Sequence, residues 1–336
     1  MTQQMHRVII VAAALVLSVL IVACGGGGGG GGSLAGGGIG GTGVTSGTIT
    51  GFGSVFVNGI EFETEGAARD VDGKIDISNG SDDDAVLGIG MVVTIIGTVN
   101  DDGVTGTADS IVYDDVVEGP VTDEQDDGDP DTRTFNIFDV TVVIDRATTV
   151  FVSTDHDALA ENDLLEVSGY FGVDGKLLAT RVEGKDKLVP GVSEVEIKGE
   201  VTGFDSNSST FELLGLDGIT ITFDNATVFE DLPDTVADGQ FVEVKGTVFE
   251  GSIFASRIEL EDEGFGYDVD RISIEGIVTD FTDITNFRVS GQRVNASSAA
   301  FDPSSLQSSL ADGDRVEVEG SLVGGILQAR EVELED

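Results

Sequence analysis

The sequence predicts an all-β protein made of four tandem copies of one small domain, which follow an apolar leader and a glycine-rich tether. Two observations predict this fold class. Three short sequence anchors recur in the same order four times along the 336 residues, and within each copy apolar and polar residues alternate with a period of two. The composition agrees, because 48 Gly and a large excess of acidic residues indicate many turns between short elements.

Residues 1–23 are the first element, a predicted targeting segment. Their apolar run over residues 8–22 is shorter than the roughly 20 residues of a membrane-spanning helix. The run ends at Ala23, and the only cysteine of the chain, Cys24, follows directly. This junction resembles a bacterial lipoprotein signal. An ordinary secretory peptide or membrane anchor with an incidental cysteine is the alternative.

The resemblance implies that the leader is removed before Cys24 and that acyl chains on Cys24 anchor the protein in a membrane. Gly25 stands where an aspartate would signal retention in the inner membrane, so the analogy favours the outer membrane of the bacterial cell envelope. Residues 24–46 then form a flexible tether, since 14 of the 22 residues after Cys24 are glycine and cannot build a core. A phosphate-binding loop is disfavoured, because no strand precedes these glycines and no Lys-Ser/Thr pair follows them.

Three anchors define the four repeats. The first is Gly-x-Ile/Val-Thr, the second is an alternating strand that ends in glycine, and the third is an alanine followed three residues later by Ile or Val. The first anchors begin at Gly47, Gly119, Gly199 and Gly276, the second end at Gly97, Gly169, Gly246 and Gly320, and the third begin at Ala108, Ala179, Ala255 and Ala329. The anchors place repeat one at 47–115, repeat two at 116–185, repeat three at 195–262 and repeat four at 271–336.

Each repeat is predicted to contain three strands, a short helix and two further strands. The alternation is clearest in Val316-Glu317-Val318-Glu319, where the valines should face the core and the glutamates should face solvent. Turn residues such as Asp174-Gly175 separate the last two strands and indicate a hairpin.

The helix is clearest at residues 302–310, because Pro303 suits the first helical position and Leu306 and Leu310 share one face. Residues 157–161 and 233–237 are its expected counterparts in repeats two and three. Five strands with a helix after the third are the order of a small OB-type Greek-key barrel. A small sandwich is the alternative.

The repeats resemble an uncharacterised tandem domain-of-unknown-function family of bacterial lipoproteins with small OB-like β-barrel repeats. The matching features are the Gly-x-Val-Thr motif at the start of each repeat, the Val-Glu-Val-x-Gly strand and the Ala-x-x-Val/Ile motif at its end. They extend over about residues 47–336. The resemblance implies an envelope location and a barrel architecture but no chemistry. Repeat one departs most, since Thr94 and Ile96 replace the charged positions of its fourth strand, which indicates packing against a neighbour.

The charge and composition exclude several function classes. The net charge of −45 excludes nucleic acid as a partner, because phosphate binding needs clustered Lys and Arg. The absence of Trp disfavours the stacking platforms that bind glycans or single strands. Zinc and a Ser-His-Asp triad are disfavoured, because the mature chain has one histidine, His156, and no nucleophile elbow. His156 is expected to be a surface histidine flanked by carboxylates.

Calcium is the one cation for which the sequence offers ligands, and no other cofactor is predicted. The segment 123–131 is the richest in aspartate, and its ligand candidates are Asp123, Asp126, Asp127, Asp129 and Asp131. It is not an EF-hand, because Gln125 occupies the third position and Thr134 the twelfth. Asp70-x-Asp72-Gly73 is a weaker candidate, and a solvated acidic loop is the alternative to both.

These observations predict a membrane-anchored lipoprotein of the cell envelope with a structural or ligand-binding role and no catalysis. Its expected partners are the membrane, through the acyl chains on Cys24, and envelope proteins or glycans. The alternatives are a hydrolase that acts through acidic residues and a calcium-binding surface module. The position of the carboxylates discriminates between them: a binding protein places them on exposed turns, whereas a hydrolase brings two or three together in one cleft of one repeat.

Overall fold

A computed structural model describes residues 41–76, 86–125, 128–216, 218–232, 235–261, 265 and 268–335. The leader, Cys24 and residues 25–40 of the tether lie outside these described residues. The prediction that the tether extends to residue 46 is wrong, because residues 41–46 form part of the first strand and Val44 is buried. The described residues belong to one compact unit, Gly38–Asp336. Among them, no helix is both long enough and apolar enough to cross a bilayer.

Barrels one and two contain the first thirteen strands. Barrel one has β1 (Gly41–Gly51), β2 (Val55–Val57), β3 (Ile60–Glu63), β4 (Ala68–Val71), β5 (Lys74–Asp76), β6 (Val92–Val99) and β7 (Thr105–Tyr113). Barrel two has β8 (Val117–Gln125), β9 (Thr132–Ile137), β10 (Val140–Asp145), β11 (Val150–Val152), β12 (Asp163–Phe171) and β13 (Leu177–Lys187).

Barrels three and four contain the remaining strands and one helix. Barrel three has β14 (Glu194–Asp205), β15 (Thr210–Leu213), β16 (Thr220–Thr222), β17 (Val228–Glu230), β18 (Phe241–Phe249) and β19 (Ser252–Leu260). Barrel four has β20 (Val269–Asp283), β21 (Asn286–Val289), β22 (Gln292–Asn295), β23 (Ala300–Asp302), α1 (Leu306–Ser309), β24 (Arg315–Val323) and β25 (Ile326–Leu334).

Each barrel closes as a ring of five strands with the same pairing. The first strand of a ring pairs antiparallel with its second and fourth strands, and the third strand pairs parallel with the fifth. The rings are β1-β2-β3-β7-β6, β8-β9-β10-β13-β12, β14-β15-β16-β19-β18 and β20-β21-β22-β25-β24. The prediction of four tandem five-stranded OB-type barrels is therefore confirmed.

The prediction of one short helix in every repeat is wrong for the described part of repeats two and three. The segment before the fourth ring strand has 12 residues in barrel four (303–314) but 10 in barrels two (153–162) and three (231–240). Of these three barrels, barrel four alone has the two extra residues that a helical turn takes up. In barrel two, Asp155 Oδ1 accepts the N–H groups of Asp157 and Ala158 and closes a tight turn instead.

In all four barrels, a close backbone contact requires glycine at the end of the second anchor. The register of the last hairpin shifts at this glycine, which is the mark of a β-bulge. A Cβ atom on Gly320 would lie 2.2 Å from the carbonyl oxygen of Gln328, and Gly97, Gly169 and Gly246 have equivalent contacts. The alanine of the third anchor is the pairing partner of this glycine and is buried in each barrel.

Strand pairing between barrels joins the first barrel to the last and the two middle barrels to each other. Barrel one pairs with barrel four through parallel β1 and β20, and barrel two pairs with barrel three through antiparallel β8 and β14. Val44 and Ile96 of barrel one pack against the core of barrel four. The packing of repeat one against a neighbour, predicted from Ile96, is therefore confirmed.

The pairing of barrels buries charged positions that the alternation pattern places toward solvent. Glu166, Glu243 and Glu317 occupy the same position of the fourth ring strand, and none of them is more than 9% exposed. The expectation that these glutamates face solvent is therefore wrong. They point away from their own core, as a period of two requires, but a neighbouring barrel or a paired charge covers them. Tyr113 of barrel one, for example, donates a hydrogen bond to Glu166.

Candidate functional site

Three carboxylates from different parts of the chain meet where barrels one, two and three adjoin. They belong to Asp72, Asp115 and Glu196, and one oxygen atom of each lies within 4.8 Å of the others. We call this cluster the carboxylate junction.

The local structure that positions each carboxylate follows from the sequence. Asp72 and Gly73 form the two-residue turn between β4 and β5, and both have positive φ angles, as an Asp-Gly type I′ hairpin turn requires. Asp115 lies in the short connection from β7 to β8, and its N–H group donates to Asp72 Oδ1 over 3.4 Å. Glu196 lies on β14, where it pairs in register with Glu118 of barrel two and Lys245 of barrel three.

The carboxylate junction is buried, and part of it has no hydrogen-bond partner. Asp115 is 1% exposed and Glu196 is 3% exposed, whereas Asp72 is half-buried. Neither carboxylate oxygen of Asp115 has a hydrogen-bond partner among the described residues, and neither has Glu196 Oε1. Ionised carboxylates only accept hydrogen bonds, so Asp115 and Glu196 cannot satisfy each other unless one of them carries a proton.

The lysines near the carboxylate junction are engaged by glutamates. Lys245 Nζ lies 2.6 Å from Glu196 Oε2, and Lys198 Nζ lies 3.0 Å from Glu243 Oε2. Lys245 also donates to the backbone carbonyl of Asp72 over 3.4 Å. Across the described residues, no salt bridge reaches the carboxylate of Asp72 or Asp115.

Burial raises the pKa of all three acids. The pKa of Asp115 lies well above its ordinary value, because burial and then the negative charge of Glu196 disfavour ionisation. Burial raises the pKa of Glu196 to about 7, although Lys245 and Lys198 oppose the rise. Burial also raises the pKa of Asp72. The cluster consists of oxygen donors only, so the species that it can accommodate are protons and hard cations.

The structure places the predicted calcium loop elsewhere, on the surface of barrel two. Asp123, Asp129 and Asp131 are exposed. Asp129 Oδ1 accepts the N–H group of Asp131, and Asp131 Oδ1 lies 3.5 Å from Arg146 Nε. The remaining candidates, Asp126 and Asp127, lie outside the described residues, as does Cys24. Calcium binding by this loop stays a prediction.

The expectation that His156 lies on the surface is wrong. Its side chain is 4% exposed, and its ring packs edge-on against Phe151 with centroids 6.1 Å apart. His156 Nδ1 lies 3.1 Å from Asp157 Oδ1. The turn closed by Asp155 directs the imidazole inward, which the flanking carboxylates in the sequence do not reveal.

Only one member of the carboxylate junction stands in a recognisable sequence pattern. The Asp-Gly turn signal drew attention to Asp72, but Asp115 and Glu196 stand in ordinary strand and connector sequence. They meet Asp72 only because β8 pairs with β14 and brings barrel three beside barrel one. No local pattern encodes that pairing.

One family model matches the chain. It is described as a domain of unknown function, DUF5666, and it matches residues 118–183, 198–259 and 275–333, which together are more than half of the chain. These ranges fall in barrels two, three and four. No curated protein matches the chain significantly.

Proposed function

Because the chain belongs to the DUF5666 family of domains of unknown function, with three matched copies and a fourth ring of the same pairing, we propose that its repeats serve a structural or ligand-binding role. In this proposal the chain is a lipoprotein of the bacterial cell envelope, anchored through Cys24, and its barrels perform no catalysis. Envelope proteins or glycans are the partners.

The sequence before the barrels supports anchoring. Cys24 follows a short apolar run and precedes a glycine-rich tether. Acyl chains on this residue would contribute about 0.8 kcal/mol per buried methylene group, and two or more chains give stable attachment. The glycine after Cys24 favours the outer membrane.

The placement of the acidic residues is the observation that carries the non-catalytic role. Exposed aspartates accept side-chain hydroxyl and backbone N–H groups in turns. These hydrogen bonds favour the ionised form and lower the pKa values of Asp102 and Asp283, chiefly through the Thr105 and Thr285 side chains, and of Asp205, chiefly through the Asn207 N–H group. The carboxylates that do converge, Asp115 and Glu196, are almost fully buried between barrels. A hydrolase of envelope polymers needs such a pair open to its substrate.

Metabolic labelling with palmitate tests the anchor. We expect the wild-type chain to incorporate the label and to fractionate with the outer membrane, and we expect Cys24→Ser to lose both properties, because serine lacks the thiol that is acylated. Ser18→Ala, which alters the same leader but leaves Cys24 in place, is the matched control and should be labelled like the wild type. An unlabelled wild type, or a labelled Cys24→Ser variant, would contradict the proposal.

A further inference from the structure

We propose that the carboxylate junction is a binding site for a divalent cation of the calcium type, with Asp72, Asp115 and Glu196 as its protein ligands. This inference concerns the interior of the folded body and does not depend on the lipid anchor.

The first argument is charge. Among the side chains that the structure describes around the junction, each lysine already has a glutamate partner: Lys245 has Glu196, Lys198 has Glu243, and Lys185 Nζ lies 2.7 Å from Glu166 Oε2. Arg257, whose guanidinium lies against Gly73, is paired with Glu230 and Glu259.

These pairs leave Asp115 with a buried carboxylate and no salt-bridge partner among the described side chains. The negative charges of Glu166 and Asp72 act on Asp115 in addition to that of Glu196. An unpaired charge at 1% exposure costs several kcal/mol in a protein interior. A bound divalent cation would remove this cost, because it supplies two positive charges beside the Asp115 oxygens, which have no hydrogen-bond partner among the described residues.

The second argument is geometry. Calcium takes oxygen ligands at about 2.3–2.6 Å, so two ligands on opposite sides of one ion are about 4.8 Å apart. The three carboxylate oxygens lie within that distance of one another. Both oxygens of Asp115 and Glu196 Oε1 have no hydrogen-bond partner among the described residues. The nearest lysine to Glu196 Oε1 is Lys198, whose Nζ lies 3.7 Å away, while Glu196 Oε2 keeps its ion pair with Lys245.

The third argument is access and donor type. Asp72 is half-buried in a turn, so one side of the junction is open to an entering ion and to the waters that complete its coordination. The set contains no nitrogen or sulfur donor, which disfavours zinc and favours hard cations.

The position of the ligands gives the cation a structural consequence. Asp72 belongs to barrel one, Asp115 to the connection between barrels one and two, and Glu196 to barrel three. An ion held by all three would link three barrels at one point. Because such a site exists only in the folded state, calcium would stabilise the protein in proportion to its concentration above the dissociation constant.

Calorimetric titration of the chelator-treated full chain with calcium chloride tests the proposal. We expect one site in the wild type and a loss of affinity of about tenfold or more in Asp115→Asn, which keeps the side-chain shape and removes the charged ligand. Asp129→Asn, which removes a carboxylate from the exposed loop of barrel two, is the matched control and should bind like the wild type. Asp72→Asn, in the half-exposed turn, provides a second ligand variant should Asp115→Asn fold poorly.

Thermal unfolding provides the second readout. Calcium should raise the unfolding temperature of the wild type more than sodium chloride at equal ionic strength, and Asp115→Asn should lose this difference. The proposal is overturned if the wild type binds no calcium, if both ligand variants bind like the wild type, or if Asp129→Asn alone loses binding. The first result would mean that protons occupy the junction, and the last would place the site in the acidic loop.

Discussion

Glu317 shows how burial controls the protonation of a single side chain. It is 9% exposed, and one of its oxygens accepts the hydroxyl of Ser273 on β20. Burial raises the pKa of Glu317 to about 8, and the nearby Glu319, Glu335 and Glu333 add to the rise. The folded chain therefore holds a proton on this residue that the unfolded chain has already lost.

This pKa predicts a pH dependence of stability. Between about pH 4.5 and pH 8 the folded state binds more protons at Glu317 than the unfolded state does, so the free energy of unfolding falls as the pH rises, by at most about 1.4 kcal/mol per pH unit. Glu317→Gln removes this proton uptake. We expect its stability relative to the wild type to increase steadily across that range in urea unfolding. Glu212→Gln, at an exposed strand position, is the control, and parallel curves for Glu317→Gln and the wild type would contradict the assignment.

Single positions also show what the sequence could predict. Gly90, Gly239 and Gly313 begin the second anchor, and all three have a positive φ angle. Asn162 takes the same conformation in barrel two, with φ of 66°, because asparagine tolerates the left-handed region better than other residues. The alignment of the repeats therefore predicted a shared backbone turn correctly. The burial of His156 depends on the local turn that directs its ring inward, and that of Glu317 depends on neighbours such as Ser273, which lies far away in the chain.

The bulge glycine is the element-scale feature with the sharpest mutational consequence. A Cβ atom on Gly320 would collide with the carbonyl oxygen of Gln328 at 2.2 Å, and neither backbone can move without breaking the hairpin of β24 and β25. We expect Gly320→Ala to lower the free energy of unfolding by about 1–3 kcal/mol or more. Gly172→Ala is the control, since its Cβ would meet no atom closer than 3.7 Å and should change stability by about 0.5 kcal/mol or less. Equal stabilities of the two variants in denaturant unfolding would refute the steric explanation.

The strands could be predicted from the sequence, but the strands of other barrels with which they pair could not. A period of two identifies a half-buried strand from local sequence alone, and duplicated anchors locate its copies. The pairing of β1 with β20 joins residues more than 200 positions apart, and nothing in either strand specifies the other. The helix expected in repeats two and three was wrong for a different reason. Their loops are two residues shorter than the loop of barrel four, and this small difference is not visible in the anchors.

At the scale of the whole molecule, the carboxylate junction exists only because separate barrels adjoin. The excess of acidic residues predicts carboxylates scattered over turns, and many exposed aspartates do accept N–H groups in turns. The structure adds acidic groups enclosed between barrels, where an unpaired charge is costly and where a cation or proton has a large effect. The sequence could not predict this site, because its members come from barrel one, from the connection to barrel two and from barrel three, and only Asp72 carries a local signal.

A second polar contact joins barrels one, two and four. Glu275 on β20 is 6% exposed, and its Oε2 accepts the N–H group of Thr48 in barrel one and the hydroxyl of Tyr170 in barrel two. Its Oε1 accepts Arg315 Nε over 2.8 Å. One carboxylate thus satisfies donors from three barrels, and with the strand pairings it makes the barrels dependent on one another.

This dependence predicts cooperative unfolding. We expect calorimetry of the wild type to show a single transition, because no barrel can unfold without exposing strand edges and buried charges of another. Glu275→Ala should lower the free energy of unfolding by about 2–4 kcal/mol, since it removes the acceptor of the buried Thr48 N–H and Tyr170 hydroxyl groups and the partner of the half-buried Arg315. It should also separate the transition into at least two. Glu200→Ala truncates an exposed glutamate on β14 and should leave the single transition in place. Separate transitions in the wild type, or a Glu275→Ala profile like that of Glu200→Ala, would show that the barrels unfold independently.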